Sequence, residues 1–366
     1  MVSAKEGVAE PLSQLYNDII VNENLKATGG RYSMGESTFR AMVVEEKEEG
    51  RFESGIEERS LSDLPEGDVL VRVRYSSLNY KDALSAVGNK GVTRNYPHTP
   101  GIDAAGEVVE SASGAFSPGE KVLVTGWDMG MNTDGGFGEY VRVPAEWVLT
   151  LPEGMELKES MMYGSAGFTA GLSLHEIEAA GLTPQSGEII VSGASGGVGS
   201  LSVGILSAAG YSVTAVTGKP GAAELLGRLG AKSVVGRDEV QDSSNRPLLK
   251  GRFAGAIDTV GGEMLSAIIR STGYGGVVTC CGNAGGADLR ITVYPFILRA
   301  VRLIGIDSVA CPGPLRKSVW ERLAGMWRVS ELRQLATDIR LEDVPARLEK
   351  MLENTHTGRF VVDMDA

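Results

Sequence analysis

From Phe39 onward the chain carries two rhythms of apolar and polar residues. The first covers roughly 120 residues and consists of short runs that alternate or are rich in β-branched residues: FRAMVVEE, VLVRVRYSSLN, AAGEVVES, EKVLVTG and EYVRVP. Turn signals such as PEGD and SPGE separate them. A period of two marks strands with one buried face, so this part predicts a β-rich, barrel-like domain. After Glu159 the rhythm changes. SMMYGSAGFTAGLSLHEIEAAG reads as a helix, EIIVSGA as a buried strand, GGVGSLSVGILSAAG as a helix, YSVTAVTG as a strand and AAELLGRLG as a helix. SVVG, GAIDTVG and GGVVTCCGN follow as strands. Strands alternating with helices at this spacing build βαβ units, hence a doubly wound α/β domain with a parallel sheet. VRLIGIDSV adds a β-rich run beyond them, and SVWERLAGMWRV, PARLEKMLENT and GRFVVDM close the chain with mixed α/β pattern.

Ahead of Phe39, Leu12, Leu15, Tyr16, Ile19 and Ile20 fall at helical spacing before the polar stretch ATGGRYSMGES. Residues 1–38 are therefore expected to be a leader, either disordered or a short helix.

Composition narrows the function classes. The 366 residues are 42% hydrophobic and 22% charged, with no apolar run of membrane-spanning length. A net charge of −12 argues against a broad nucleic-acid surface while allowing a small basic pocket. The cysteines are Cys280, Cys281 and Cys311. Two adjacent thiols suit neither an ordinary disulfide nor a C-x-x-C metal knuckle, so a reduced, cytoplasmic chain is expected. His98, His175 and His356 are far apart, and no tyrosine is followed four residues later by lysine. No zinc site and no Y-x-x-x-K reductase pair is expected.

The strongest local motif is Gly193-Ala-Ser-Gly-Gly-Val-Gly199, which follows one strand and opens a helix. Glycines at 193, 196 and 199 allow a tight strand-to-helix turn whose N–H groups approach a pyrophosphate. After the next strand an NAD site places an acid for the ribose 2′-OH. Here stand Thr217-Gly218-Lys219, with no acid before Glu224, and Arg237 follows the third strand. A hydroxyl, a backbone N–H and two cations suit a 2′-phosphate, so NADPH is the expected cofactor. Asn79, Tyr80 and Asp82, in SSLNYKDAL at a strand end, either aim an amide, a phenol and a carboxylate into a cleft or start a helix, with Asn79 as N-cap and Asp82 as its N3 partner. Arg299, in PFILR, is either a phosphate or ribose ligand or a helix C-terminal cation.

The segments SSLNYKDAL, YPHTPGIDAAG, VLVTGW, YGSAGFTA, PFILR and GIDSV, with GASGGVGS in mid-chain, resemble the zinc-free medium-chain dehydrogenase/reductases. Within that superfamily they are similar to the quinone-oxidoreductase-like side and, more narrowly, to its acrylyl-CoA reductase branch. Relatives with zinc carry a cysteine near the position of Asn79 and G-H-E where this chain has Gly101-Ile-Asp103. The resemblance implies a GroES-like catalytic domain over 39–164 and 311–366, and a Rossmann NADPH-binding domain over 165–310. It further implies NADPH held by Tyr80, Ser195, Gly196, Gly197, Val198, Thr217, Gly218, Lys219, Arg237, Asn283 and Ile297, with Thr169 beside the nicotinamide. The implied reaction is hydride transfer to the β-carbon of an enoyl-CoA, acrylyl-CoA above all. Asn79 or Tyr80 would stabilise the enolate, and Lys90 or Arg94 would face the CoA. The alternatives are a quinone or general enone oxidoreductase, and a crystallin-like NADPH- or RNA-binding protein. A homodimer is expected, because VRLIGIDSV would form an open edge strand with Ile304 and Ile306.

Overall fold

The computed structural model describes residues 38–244, 246–353 and 356–366. The leader expected over residues 1–38 lies outside the described residues except for Thr38, which begins β1. Strands β1 (Thr38–Glu48) and β2 (Arg51–Ser60) form an antiparallel hairpin. Next come β3 (Val69–Ser77), β4 (Asp103–Ser111), β5 (Lys121–Thr125), β6 (Tyr140–Val143) and β7 (Leu149–Thr150). The second part holds β8 (Ile189–Val191), β9 (Val213–Val216), β10 (Ser233–Val235), β11 (Phe253–Asp258), β12 (Thr272–Cys280) and β13 (Arg302–Gly305). Strands β14 (Ala336–Arg340) and β15 (Arg359–Asp363) end the chain.

The first sheet runs β14-β15-β3-β4-β5-β7, with β6 also on β3. The second runs β10-β9-β8-β11-β12-β13, all parallel. Counted from β8, that is the order of a dinucleotide-binding fold, whose ligand crevice lies at the carboxyl ends of the strands where the order reverses.

The helix Leu157–Ala179 joins the two parts. It is buried on all sides from Ser160 to Leu174, as a helix enclosed between layers must be. It breaks at Gly164, where φ is 52° and ψ −159°. A Cβ there would lie 2.4 Å from Asp103 Oδ2 and from Ser77 Oγ, so both the backbone conformation and the close approach require glycine.

The segment from Gly313 to Leu335 packs Val319, Trp320, Leu323, Trp327 and Leu332 into a core cluster shared by Phe168 and Leu201 with Ala105 and Leu123 of the first sheet. Trp320 stacks on Phe168 with centroids 6.2 Å apart, and Arg316 donates to Thr125 O at the end of β5 at 2.6 Å, so this segment covers the connecting helix and also meets the first sheet. Strand β2 was not foreseen because no residue along it is buried, which leaves no apolar alternation to read. Among the described residues, no helix is long and apolar enough to cross a membrane.

Candidate functional site

The glycine turn lies at the carboxyl end of β8. Gly193 has φ 59°, and a Cβ on it would stand 2.3 Å from Thr259 Oγ1, so the turn closes tightly only with glycine. The helix Gly197–Ala208 begins there with Gly196 as a cap that makes no side-chain hydrogen bond. Its first N–H groups have no partner within the helix and form a cradle for an anion. The same residues spell the G-x-S-x-G pattern of a serine nucleophile. However, Ser195 Oγ takes its hydrogen bond from Thr217 Oγ1 at 2.9 Å, not from a histidine base.

The ends of β9 and β10 meet beside this cradle, where Thr217 N–H donates to Val235 O at 3.1 Å. Lys219 N–H donates to Thr217 Oγ1, and Lys219 Nζ reaches the carbonyl of His356. A Cβ on Gly218 would lie 2.7 Å from Arg237 Nε, so the exposed guanidinium rests on the bare backbone of Gly218. Burial, and then Arg237, push the Lys219 amine below its ordinary pKa. Two cations held together in this way favour a dianion between them, and the residues fit a 2′-phosphate.

Across the crevice lies a buried polar cluster built by β3, β4, β15 and the break at Gly164. Asp103 is fully buried. Its Oδ2 accepts from Ser77 Oγ (2.6 Å) and Asn79 Nδ2 (2.7 Å), and its Oδ1 from Ser165 Oγ (2.6 Å). Ser165 N–H bonds both oxygens, at 3.0 and 2.9 Å. Arg359, buried beside it, ion-pairs with Asp103 at 3.7 Å. It also donates to Leu78 O, Asn79 Oδ1 and Ser77 Oγ at 2.9, 3.2 and 2.8 Å. Arg359 NH1 lies 3.3 Å from where a Cβ on Gly197 would stand, so this cation touches the glycine turn.

This cluster assigns the three residues of SSLNYKDAL different positions. Asn79 uses both amide hydrogens, on Asp103 and on Ser77 O. Asp82 is fully buried, and its carboxylate accepts from Asn79 N–H (2.7 Å) and Ile102 N–H (2.9 Å). Burial, and then Asp103, raise its pKa to about 7. It fills the helix-start role and does not face the crevice. Tyr80 is half exposed at the first position of the helix Tyr80–Ala86, next to the meeting point of Asn79 and Arg359.

Of the remaining candidates, Thr169 lies one helical turn beyond Ser165 and donates to its carbonyl at 2.7 Å. Asn283 is exposed just past the carboxyl end of β12. Ile297 is 70% exposed on the helix Tyr294–Arg299. Arg299 does not serve the crevice: it donates to Arg270 O and Thr272 O at 3.0 Å each, and to Leu249 O. Thr272 begins β12, so Arg299 sits at the amino edge of the sheet, opposite the glycine turn, and closes a helix end. Lys90 pairs with Glu46 at 3.2 Å and lies 4.7 Å from the Tyr96 ring centroid, so its charge is already matched.

Sequence reasoning missed Asp103, Ser77, Ser165 and Arg359 as parts of the site. Asp103 stood in the quoted Gly101-Ile-Asp103, but an isolated arginine in GRFVVDM carries no local signal.

Comparison with known proteins shows two family matches. Residues 65–153 match the alcohol dehydrogenase GroES-like domain, and residues 197–325 match the zinc-binding dehydrogenase family. The acrylyl-CoA reductase AcuI of Ruegeria pomeroyi is 44% identical over 329 residues, covering 90% of this chain and 100% of that one. The crystal structure of the YhdH oxidoreductase of Salmonella enterica in complex with NADP has a TM-score of 0.86 at 44% identity, covering 89% of this chain and 99% of the other. That of YhfP of Bacillus subtilis with NAD bound has a TM-score of 0.88 at 42% identity, covering 90% and 100%. YhfP is provisionally named a quinone oxidoreductase.

The donor set does not suit a zinc ion, whatever the family's description. The carboxylates of Asp82 and Asp103 are taken up by N–H, O–H and guanidinium donors. Among the described residues, no group of three His, Cys, Asp or Glu could hold a metal.

Proposed function

Because the chain belongs to the quinone-oxidoreductase-like branch of the medium-chain dehydrogenase/reductases, and is an NADPH-dependent oxidoreductase, we propose that it reduces the carbon–carbon double bond of acrylyl-CoA to give propanoyl-CoA. The observation that carries this reading is the end-to-end match to an acrylyl-CoA reductase, with no part of that relative left uncovered.

Bound NADPH supplies the hydride. The chain's own residues bind and orient. The N–H groups at Gly196–Val198 take the pyrophosphate, while Thr217, Gly218, Lys219 and Arg237 take the 2′-phosphate. As the β-carbon is reduced, negative charge builds on the thioester oxygen and needs a donor already in place. Asn79 has no amide hydrogen left to give, so the Tyr80 hydroxyl is the proposed donor, with the cluster around Asp103 holding the backbone from which it projects. Tyr80 or solvent then protonates the α-carbon. The three free cysteines agree with a reaction in the reducing cytoplasm.

The test is a kcat/KM panel over acrylyl-CoA, crotonyl-CoA and simple quinones, with and without a chelator. Acrylyl-CoA should lead, and the chelator should change nothing. Quinones turning over faster than either thioester would transfer the assignment to the second reading, which the name of YhfP favours for that protein.

Lys219→Ala and Arg237→Ala should each raise KM for NADPH by about 10- to 150-fold, because each removes a charge-assisted bond of about 1.5–3 kcal/mol. KM for NADH should hardly move. An unchanged ratio of the two KM values in both variants would remove these residues from the pocket.

We also propose a homodimer joined through β13, which ends the second sheet with one side unpaired. Ile304 and Ile306 are half buried and pack against the core, so replacing them tests more than an edge. Ile306 N–H donates inward to Cys280 O at 3.0 Å, which by alternation leaves the N–H of exposed Gly305 facing outward. Gly305→Pro should therefore turn a dimer into a monomer in light scattering. A wild-type mass of one chain would refute the dimer.

A further inference from the structure

The strap that brings the last strand onto the glycine turn carries a histidine that the mechanism above leaves unused. The carbonyl of His356 accepts from Lys219 Nζ, and Gly358 N–H donates to Ser195 O at 3.3 Å. Arg359, which follows, lies against Gly197. Residues 356–359 thus cross the whole phosphate cradle, from the end of β9 to the start of the helix Gly197–Ala208. The His356 imidazole packs on Phe360, with ring centroids 6.2 Å apart. Its Nδ1 is enclosed and has no hydrogen-bond partner among the described residues.

Among the described residues, the charged groups that act on this ring are cations. Lys219 acts on it from the turn after β9 and Arg359 from β15. Arg237 stands behind Lys219, and Arg347, from the helix Val344–Leu352, lies 5.4 Å from the Phe360 ring centroid. Among the described residues, no carboxylate acts on it. Burial, then Lys219, then Arg359 push the imidazole down to about 4, so it is neutral near pH 7 in the free protein. A ligand that brings phosphates into this ring of cations reverses the local field.

We propose that His356 is a recognition residue for the phosphates of the cofactor: it takes up a proton as they bind, and the imidazolium joins Lys219 and Arg359 in holding them. This rests on the NADPH reading above. A group whose proton affinity is higher in the complex than in the free protein strengthens binding as pH falls through its bound-state pKa toward its free-state value. The second ionisation of a phosphate monoester, near about 6, works in the opposite direction. The two are separated by comparing wild type with His356→Phe, which keeps an aromatic ring against Phe360.

The probe is NADP⁺, the acid-stable oxidised form. The chain has three histidines, so imidazole resonances can be followed by NMR and His356 assigned by its loss in the variant. In wild type, saturating NADP⁺ should raise the pH at which His356 titrates by about two units or more. Between about pH 7.5 and about pH 5.5, the wild-type Kd should improve by up to about tenfold relative to the variant. A titration unmoved by bound NADP⁺, or parallel Kd–pH curves in the two proteins, would overturn the proposal and leave the cofactor assignment standing. Failure of wild type to bind NADP⁺ at all would overturn both. The NMR titration decides the matter even if the variant folds poorly, because an unassigned set in which no histidine moves is itself the contrary result.

Discussion

Tyr80→Phe should lower kcat for acrylyl-CoA by about a hundredfold or more, with KM for NADPH within a few-fold of wild type. The ring stays, so any packing on the cofactor survives, and only the hydroxyl is lost. Removing one preorganised donor at a developing oxyanion costs about 10²–10³ in rate. The expectation falls on Tyr80 because its neighbours are committed. Both Asn79 amide hydrogens are bonded, and Asp82 is sealed under Ile102. A kcat within a few-fold of wild type would take the hydroxyl out of the chemistry and point to backbone or solvent donors.

Arg359→Met should destabilise the protein by about 3–5 kcal/mol, read as a shift of the urea midpoint at unchanged slope. The substitution leaves the carboxylates of Asp103 and Asp82 in a fully buried site without their nearby cation. It also orphans Leu78 O and removes the contact between the first sheet and the glycine turn. Arg359→Lys should rescue little, because one ammonium cannot reproduce the guanidinium's fork to Leu78 O, Asn79 Oδ1 and Ser77 Oγ. A midpoint within experimental scatter of wild type would show that Ser77, Asn79 and Ser165 alone suffice to hold Asp103 in place.

The two parts of the fold were legible because each declares itself over short distances. Alternation along VLVRVRYSS reports a strand with one buried face, and it forms β3. The glycines of the turn report a backbone that no side chain could share, and Gly193 has the positive φ this requires. The lack of an acid after β9 was equally local, and the structure places Lys219 and Arg237 together around Gly218. Strand β13 was expected at a sheet edge from its position beyond the βαβ units, and it lies there.

What stayed hidden depends on partners that are distant in the chain. Arg359 and Leu78, joined by a hydrogen bond, are 281 positions apart, and nothing in GRFVVDM distinguishes a buried arginine from a solvated one. Asn79 and Asp82 read equally as a cap pair or as a cleft-facing pair, and the choice was made by Asp103, Ser77 and Ile102 arriving from other segments to use up their hydrogen bonds. Arg299 was assigned by the edge of the sheet it reached. Periodicity and turn residues record which face a segment buries and where the backbone must bend. Which donor meets which acceptor is settled only when chain crossings bring separate segments into one buried place, where every polar group must find a partner.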